Sequence, residues 1–284
     1  MKRLVSLLVL MAAALALGVP VHASAAAKND TRNEPVGYDV SYPQCGKKLP
    51  ASAAFAVVGV NGGTAANTNP CLAAQLSWAK KATLKSTSKQ PSLQLYVNTG
   101  NPGNFIADIM TWPTNNFDKS GVTSPNPYGT CVGANDRPCS WQYGWNRAEE
   151  AFVDRFVPAA QRADVSTKAA DYIWWLDVEI ANTWQVGSSE GFARNTAVLE
   201  GMAAYYAHPL RAATVGIYST EIQWSAVTDS TKSDSFVGLA NWRPSGSTLV
   251  NAVKNCKVAP LTNGGFISLT QYVQGGIDKN HSCI

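Results

Sequence analysis

Two carboxylates at the end of an apolar run are the residues of this chain best suited to chemistry. Residues 172–179 read YIWWLDVE, and only Val178 separates Asp177 from Glu179. In a strand the two acids point to the same side, with Cα atoms about 6.5 Å apart. Their repulsion raises the pKa of at least one, which keeps a carboxyl group protonated as a general acid. A strand end with solvated or salt-bridged acids is the alternative, because structural ion pairs also perturb pKa values.

Two further acids stand near predicted strands. Asp39 lies in GYDVS, and Asp278 lies in GGIDKN after the strand that we predict to be the last. A set of carboxylates without metal-type partners suits glycoside hydrolysis, in which one acid protonates the leaving oxygen and another stabilises or attacks the anomeric carbon. Trp184 and Trp242 suit stacking against sugar faces, with core packing as the alternative for each.

The elements that must position these acids alternate between strands and helices. Polar residues recur near the predicted strand ends, and a barrel gathers such positions into one mouth. A doubly wound open sheet shows the same alternation, but this placement favours an α/β fold with a single modified TIM-type (β/α) barrel. The predicted strands are residues 36–41, 55–60, 91–99, 172–179, 214–219, 236–242 and 265–273, and the polar residues are Asp39, Asn61, Asn98, Asp177, Glu179, Asn241 and Gln271. The predicted helices are residues 69–84, 141–163, 189–207, a short one from 221, and 249–256.

The chain begins with the pattern of a secretory signal. Residues 1–26 have a basic start at Lys2 and Arg3, an apolar stretch and then small residues. The apolar stretch is short for a membrane span, so we expect a secreted protein without a membrane partner after cleavage. Residues 27–35 are predicted to be a flexible tail, and residues 36–284 the barrel. Residues 100–139, rich in Pro, Gly and Asn, are too long for an ordinary connection and predict an inserted loop at about 100–140 that covers or reshapes the groove.

Six cysteines follow the predicted signal. An even number in an exported chain indicates disulfides, although six cysteines allow 15 pairings. We expect sequence neighbours to pair: Cys45 with Cys71, Cys131 with Cys139, and Cys256 with Cys283. There is no CxxC motif, and no loop has calcium-binding spacing, so we expect no metal and no cofactor. A formal charge of +4 without a basic run argues against nucleic acid as a partner, and we expect a monomer.

The four acids, in order along the chain, resemble the motifs of glycoside hydrolase family 25, the Chalaropsis-type lysozymes. Asp39 in GYDVS resembles the opening motif, Asp177 and Glu179 in WLDVE resemble the Asp-x-Glu strand, and Asp278 in GGIDKN resembles the C-terminal acidic motif. The groove-lining positions of that family correspond to Tyr218 in GIYST, Trp242 in LANW, and Gln271 and Tyr272 in LTQYV. Asn98 at a strand end and Trp184 complete the expected substrate-binding set.

The resemblance implies a modified β/α barrel with a groove at the strand C-termini. It implies cleavage of the β-1,4 bond between N-acetylmuramic acid and N-acetylglucosamine in peptidoglycan. Glu179 would be the general acid, and Asp177 either a nucleophile or the group that orients the substrate acetamido for internal attack. Asp39 and Asp278 would bind, orient and set the local field.

The chain also departs from the family pattern. The second strand ends in VNGG rather than in a Lys-containing motif, and residues 100–139 form an additional segment. Two alternatives therefore stay open: a barrel that binds glycan or cell wall without cutting it, and a glycosidase acting on a different glycan.

A serine hydrolase is a further alternative, because GSSEG at residues 187–191 formally matches the nucleophile elbow with Ser189 as nucleophile. That motif needs a strand running directly into the turn, whereas the predicted strand ends at Glu179. The simpler interpretation is that Ser188 or Ser189 caps the following helix, with Glu190 in its first turn.

Overall fold

Eight strands close into a barrel whose strand order follows the chain. The computed structural model describes residues 36–82, 89–104 and 111–284; the predicted signal (1–26) and tail (27–35) lie outside these ranges. The strands are β1 Gly37–Val40, β2 Ala56–Gly59, β3 Leu93–Asn98, β4 Ile173–Asp177, β5 Thr214–Tyr218, β6 Ala240–Pro244, β7 Phe266–Gln274 and β8 Ile277–Ser282.

The barrel is mixed. Strands β1 to β7 pair in parallel in succession, whereas β8 is antiparallel to both β7 and β1. The predicted α/β barrel is therefore confirmed as a closed barrel with surrounding helices. The prediction that residues 265–273 form the last strand is wrong, because Gly275 and Gly276 make a two-residue turn into β8. Both glycines have positive φ (67° and 71°), as the mirror-image turns of tight hairpins require.

Helices pack around the barrel, and the longest lie on one side of it. They are α1 Leu72–Ala79, α2 Arg137–Glu149, α3 Val157–Ala163, α4 Ser189–Ala207, α5 Glu221–Thr228 and α6 Leu249–Asn255, with a π-helical segment, Glu150–Phe156, joining α2 to α3. Helices α2 and α4 approach closely at two glycines. A Cβ on Gly144 would lie 1.9 Å from the Val198 carbonyl oxygen, and one on Gly201 2.0 Å from that of Trp141. The backbones can meet there only without side chains.

Side-chain alternation along the strands divides the core in two. Trp175 and Trp242 belong to the cluster inside the barrel, while Trp174 belongs to the cluster between the barrel and its helices. The consecutive tryptophans of β4 thus face opposite sides of one wall. Inside the barrel the Trp175 indole N–H donates to Gln94 Oε1 at 2.8 Å, so the buried polar edge of that ring is satisfied.

Some element boundaries differ from the predicted ones. Strand β4 ends at Asp177, so Glu179 lies beyond it, and β6 begins only at Ala240, because Asp234–Phe236 forms a 3-10 turn. Helix α1 ends at Ala79, and the predicted end near Leu84 lies outside the described residues.

The three predicted disulfides are confirmed. Cys45–Cys71 joins the turn after β1 to the start of α1, Cys131–Cys139 closes a short loop before α2, and Cys256–Cys283 joins the end of α6 to the end of β8. Among the described residues, no helix has both the length and the apolar character needed to cross a membrane.

Candidate active site

A cavity of about 390 Å³ opens at the C-terminal ends of the parallel strands. We call it the acidic cavity, because four carboxylic acids line it. Neighbouring strands supply one row of its wall, since Asn98, Asp177, Tyr218 and Trp242 stand opposite one another in register from β3 to β6. The lining contains eight predicted site residues, Asp39, Asn98, Asp177, Glu179, Tyr218, Trp242, Gln271 and Asp278.

Two predicted site residues lie outside the lining. Tyr272 follows Gln271 in β7 and therefore points to the opposite face of the strand, where it is 2% exposed. Trp184 packs against the outer core, and its indole N–H donates to the Glu179 carbonyl oxygen at 2.9 Å. It holds the loop that follows β4, and the prediction that it stacks against sugar has no support from its position.

The rim of the acidic cavity contains residues that the sequence analysis missed. The turn after β1 contributes Ser41, Tyr42, Pro43 and Gln44, and Gly63, Tyr96 and Ala181 complete the lining. Tyr42 is 45% exposed, and its ring lies against Gly63, where a Cβ would come within 2.6 Å of it. The glycine makes room for an aromatic surface at the entrance. The sequence could have indicated Tyr42 as a site residue, because Tyr42 follows closely after Asp39 in the chain.

Asp39 is held by two side-chain amides, the buried one of Asn280 and the partly buried one of Gln271. Asn280 Nδ2 donates to Asp39 Oδ2 at 2.7 Å, and Gln271 Nε2 donates to both carboxylate oxygens at 3.1 and 3.2 Å. The orientation of each amide is fixed from behind, because Asn280 accepts from the Trp242 indole N–H and Gln271 accepts from the Tyr218 hydroxyl, each at 2.8 Å. Burial and the charge of Asp278 raise the pKa of Asp39 to about 7, against the opposing effect of these hydrogen bonds.

Asp177, the last residue of β4, is more enclosed than Glu179. It is 5% exposed, and its Oδ1 has no hydrogen-bond partner among the described residues. Its carbonyl oxygen accepts from Thr99, from the hydroxyl at 2.6 Å and from the backbone N–H at 3.1 Å. Burial raises the pKa of Asp177 well above its usual range, and the charges of Glu179 and Asp39 add to the effect.

Glu179 is half-buried and lies just beyond β4. Burial raises its pKa, a hydrogen bond from Gln223 lowers it, and the charge of Asp278 raises it. Gln223 is fixed by its neighbours, because its Oε1 accepts the Ile180 backbone N–H at 2.8 Å. The Gln223 amide N–H groups are thereby left to face Glu179. Burial also raises the pKa of Asp278, on β8.

The described residues 111–139 of the predicted inserted loop pack mainly on the outer helices. Asn126 Nδ2 donates to the Pro138 carbonyl oxygen at 2.8 Å, and the Tyr128 hydroxyl donates to Glu200 of α4. None of the described residues 111–139 lines the acidic cavity. In this part of the segment the structure gives no support to the prediction that it covers the groove.

The GSSEG motif serves helix α4. The Ser188 hydroxyl accepts the Gly191 backbone N–H at 3.0 Å, as a capping residue does. Ser189 is the first residue of α4, and no strand leads into it. The capping interpretation is therefore confirmed over the nucleophile elbow.

The chemistry available to the acidic cavity follows from what lines it. No Lys, Arg or His side chain is in the lining among the described residues. Within the same ranges, no three His, Cys, Asp or Glu side chains are grouped as a metal site. Uncompensated, partly desolvated carboxyl groups with raised pKa values can donate and accept protons near neutral pH. Comparison of the chain with protein-family models, with curated proteins and with solved structures gave no match.

Proposed function

We propose that the protein is a secreted glycoside hydrolase, an N-acetylmuramidase that cleaves β-1,4 bonds of peptidoglycan by carboxylate acid/base chemistry. The observation that carries the proposal is the convergence of Asp39, Asp177, Glu179 and Asp278 on one cavity, whose lining contains no cationic side chain among the described residues. Phosphoryl transfer needs cations or metal ions to neutralise the charge of the phosphoryl group, whereas two carboxyl groups are enough to cleave a glycosidic bond. The motif resemblance to glycoside hydrolase family 25 supports the same reaction.

Glu179 is the proposed general acid. It is half-buried just beyond β4, and its raised pKa favours the protonated form that donates to the leaving oxygen. Asp177 beside it is more deeply buried, with a pKa raised further from the range of a free carboxylate. A nucleophile must be ionised, so this burial favours the second role, in which the Asp177 carboxyl group orients the substrate acetamido group.

Asp39 and Asp278 are proposed to set the local field. An oxocarbenium-like transition state develops positive charge at the sugar ring. The fixed amides of Gln271 and Asn280 hold the Asp39 carboxylate in one orientation, so it can stabilise that charge without reorganising.

The wider setting of the site fits this function. In the proposed fold the protein is a modified TIM-type barrel, in which β8 runs antiparallel instead of parallel, and the acids occupy the C-terminal face where such barrels place catalytic residues. Three disulfides suit an oxidising compartment, which supports export. Peptidoglycan is the proposed partner, and the proposed reaction needs no cofactor.

The test is digestion of purified peptidoglycan by residues 27–284 of the native sequence and by its Glu179→Gln variant, with released muropeptides read by mass spectrometry. We expect new N-acetylmuramic acid reducing ends from the native protein, and a rate lowered by about 10²–10⁴ in the variant, the usual contribution of a general acid. Glu190→Gln is the matched control, since Glu190 is an exposed acid in the first turn of α4.

Other outcomes distinguish the alternatives. Binding of both proteins to the wall without release of reducing ends would identify a glycan-binding barrel. Absence of binding would exclude peptidoglycan, and a panel of other polysaccharides would then test for a different glycosidase. Release that is equal in the native protein and in Glu179→Gln would exclude Glu179 as the acid.

A further inference from the structure

A smaller cavity of about 130 Å³ lies beside the acidic cavity. We call it the notch. The loops after β2, β3 and β4 line it together with Tyr143 of α2. Ala65, Pro102 and Tyr143 are buried, whereas Thr64 and Thr183 are exposed. The notch therefore has an apolar base and a polar rim.

The notch continues the acidic cavity along the barrel mouth. At residues 63–64, 98–99 and 181–182, the first residue lines the acidic cavity and the second lines the notch. Three separate loops thus pass from one lining into the other within a single residue. A polymer held at the acids therefore has the notch as its immediate neighbour on the β2–β4 side.

The walls of the notch are fixed by hydrogen bonds. The Asn101 backbone N–H donates to the Thr183 carbonyl oxygen at 2.6 Å, and a Cβ on Gly100 would lie 3.1 Å from that same oxygen. On the other side, Arg155 Nη2 donates to the Ala66 carbonyl oxygen at 2.7 Å. These contacts keep the loops in place without a ligand, so the notch is pre-formed and its occupant need not order it.

The size and chemistry of the notch limit what it can hold. Its volume of about 130 Å³ is slightly below the ~150 Å³ of a cavity that encloses one benzene molecule, which suits a short acyl group better than a substituted sugar ring. No charged side chain lines it among the described residues, so a carboxylate or an amine would lose its hydration without gaining a partner.

We propose that the notch binds the acetyl methyl group of an N-acetylated sugar next to the sugar held at the acids. This inference rests on the proposed glycan substrate and deepens it. The enzyme would recognise acylation on a residue that it does not cut. The methyl group would lie on Ala65, Pro102 and Tyr143, while the amide of the same substituent would face the polar rim.

Calorimetry with two soluble oligosaccharides tests the proposal. The probes are a tetramer of β-1,4-linked N-acetylglucosamine and its N-formyl counterpart, which keeps the amides and lacks the methyl groups. Binding is measured in the Glu179→Gln background to prevent turnover. We expect the acetylated tetramer to bind about fourfold more tightly, the effect of one buried methyl group. Ala66→Leu, at an exposed position of the notch lining, should abolish that preference, because the added side chain occupies the notch.

Asn67→Leu is the control, because Asn67 is exposed in the same loop and lies outside both linings; it should retain the preference. Equal affinity of the parent protein for the two tetramers, or no binding of either, would overturn the proposal. Preference that survives in Ala66→Leu would overturn it as well. Cleavage is scored separately on peptidoglycan, so acetyl preference without cleavage would support the notch and reject the hydrolase.

Discussion

The protein buries ionisable side chains in two regions, and the two regions differ in whether those side chains are paired with opposite charges. At the junction of α2 and the π-helical segment, Glu150 forms ion pairs with Arg147 and Arg155, and both arginine side chains are 5% exposed. In the acidic cavity, four carboxyl groups share a lining without a cation among the described residues. Opposite charges are thus brought together in the helical layer, and like charges are brought together at the barrel mouth.

The difference separates a structural cluster from a functional one. In the helical layer each charge compensates the desolvation of another, so removing a partner leaves an unpaired ion. At the barrel mouth, burial makes the ionised form of each acid less favourable. The pKa values of Asp39, Asp177, Glu179 and Asp278 are therefore raised. An acid that stays protonated near neutral pH is what general acid catalysis requires.

The most direct test of the comparison makes the same carboxyl-to-amide change in both regions. Glu150→Gln should lower the free energy of unfolding by about 3 kcal/mol, because two buried guanidinium groups lose their counter-ion. Asp177→Asn should change it by less than about 1 kcal/mol, because burial already favours the neutral form of Asp177 and the amide is neutral as well. Urea unfolding at pH 7 measures both. Equal destabilisation by the two variants would remove the distinction.

A pH series tests the acidic cavity through Asp39. With a folded-state pKa of about 7 against the ordinary value of 3.8, Asp39 binds a proton more tightly in the folded protein. Its contribution to stability is therefore present below about pH 4, is lost as the pH rises to about 7, and is constant above. The loss is at most about 4 kcal/mol.

Unfolding free energies of the native protein and of Asp39→Asn from pH 4 to pH 8 measure this loss. The difference between the two curves should change over that window in the direction that favours Asp39→Asn at higher pH. Parallel curves would show that Asp39 ionises without penalty in the folded state.

The amide behind Asp39 should matter to stability as well as to the site. Asn280→Leu leaves the buried Trp242 indole N–H without its partner and removes the shorter of the two hydrogen bonds to Asp39 Oδ2, which should cost about 2 kcal/mol. Lys279→Ala on the same strand is the control, since Lys279 is not fully buried and its ammonium group donates to Gln274 Oε1 at 2.9 Å, away from Asp39 and Trp242. Thermal unfolding measures the stability of both variants. An equal loss of stability in the two would contradict the role of Asn280 in holding Asp39 and Trp242.

The smallest expected effect is a shift in the pH–rate profile. Gln223→Leu removes the hydrogen bond that lowers the pKa of Glu179, so the proposed acid should stay protonated to higher pH. The alkaline limb of the activity profile on peptidoglycan should move upward, with little change in stability. Ile222→Ala is the matched control, since Ile222 is 79% exposed in the same helix turn. An unchanged alkaline limb would show that Gln223 does not influence the pKa of the proposed acid.

The sequence predicted those elements of the fold that are defined by strong local patterns. The 189–207 helix was predicted with its observed bounds, because a capping serine and a long apolar period define it. Strand β8 was missed: the segment IDKNHS carries little apolar alternation, and its pairing with β7 and β1 decides its conformation. The tertiary context overrode local propensity there.

The candidate site divides in the same way. The sequence by itself determined which acids the chain possesses, their order, and the alternation of strands and helices that brings eight predicted residues to one cavity. It could do so because the side chains of a strand alternate between its two faces, and because a barrel collects the C-terminal ends of its strands at one mouth. Only the tertiary structure decided that Tyr272 and Trp184 face elsewhere, that Asn280 and Gln223 hold two of the acids, and that no described cation compensates them. Desolvation and hydrogen bonding depend on neighbours distant in the chain, and no sequence pattern of one strand contains them.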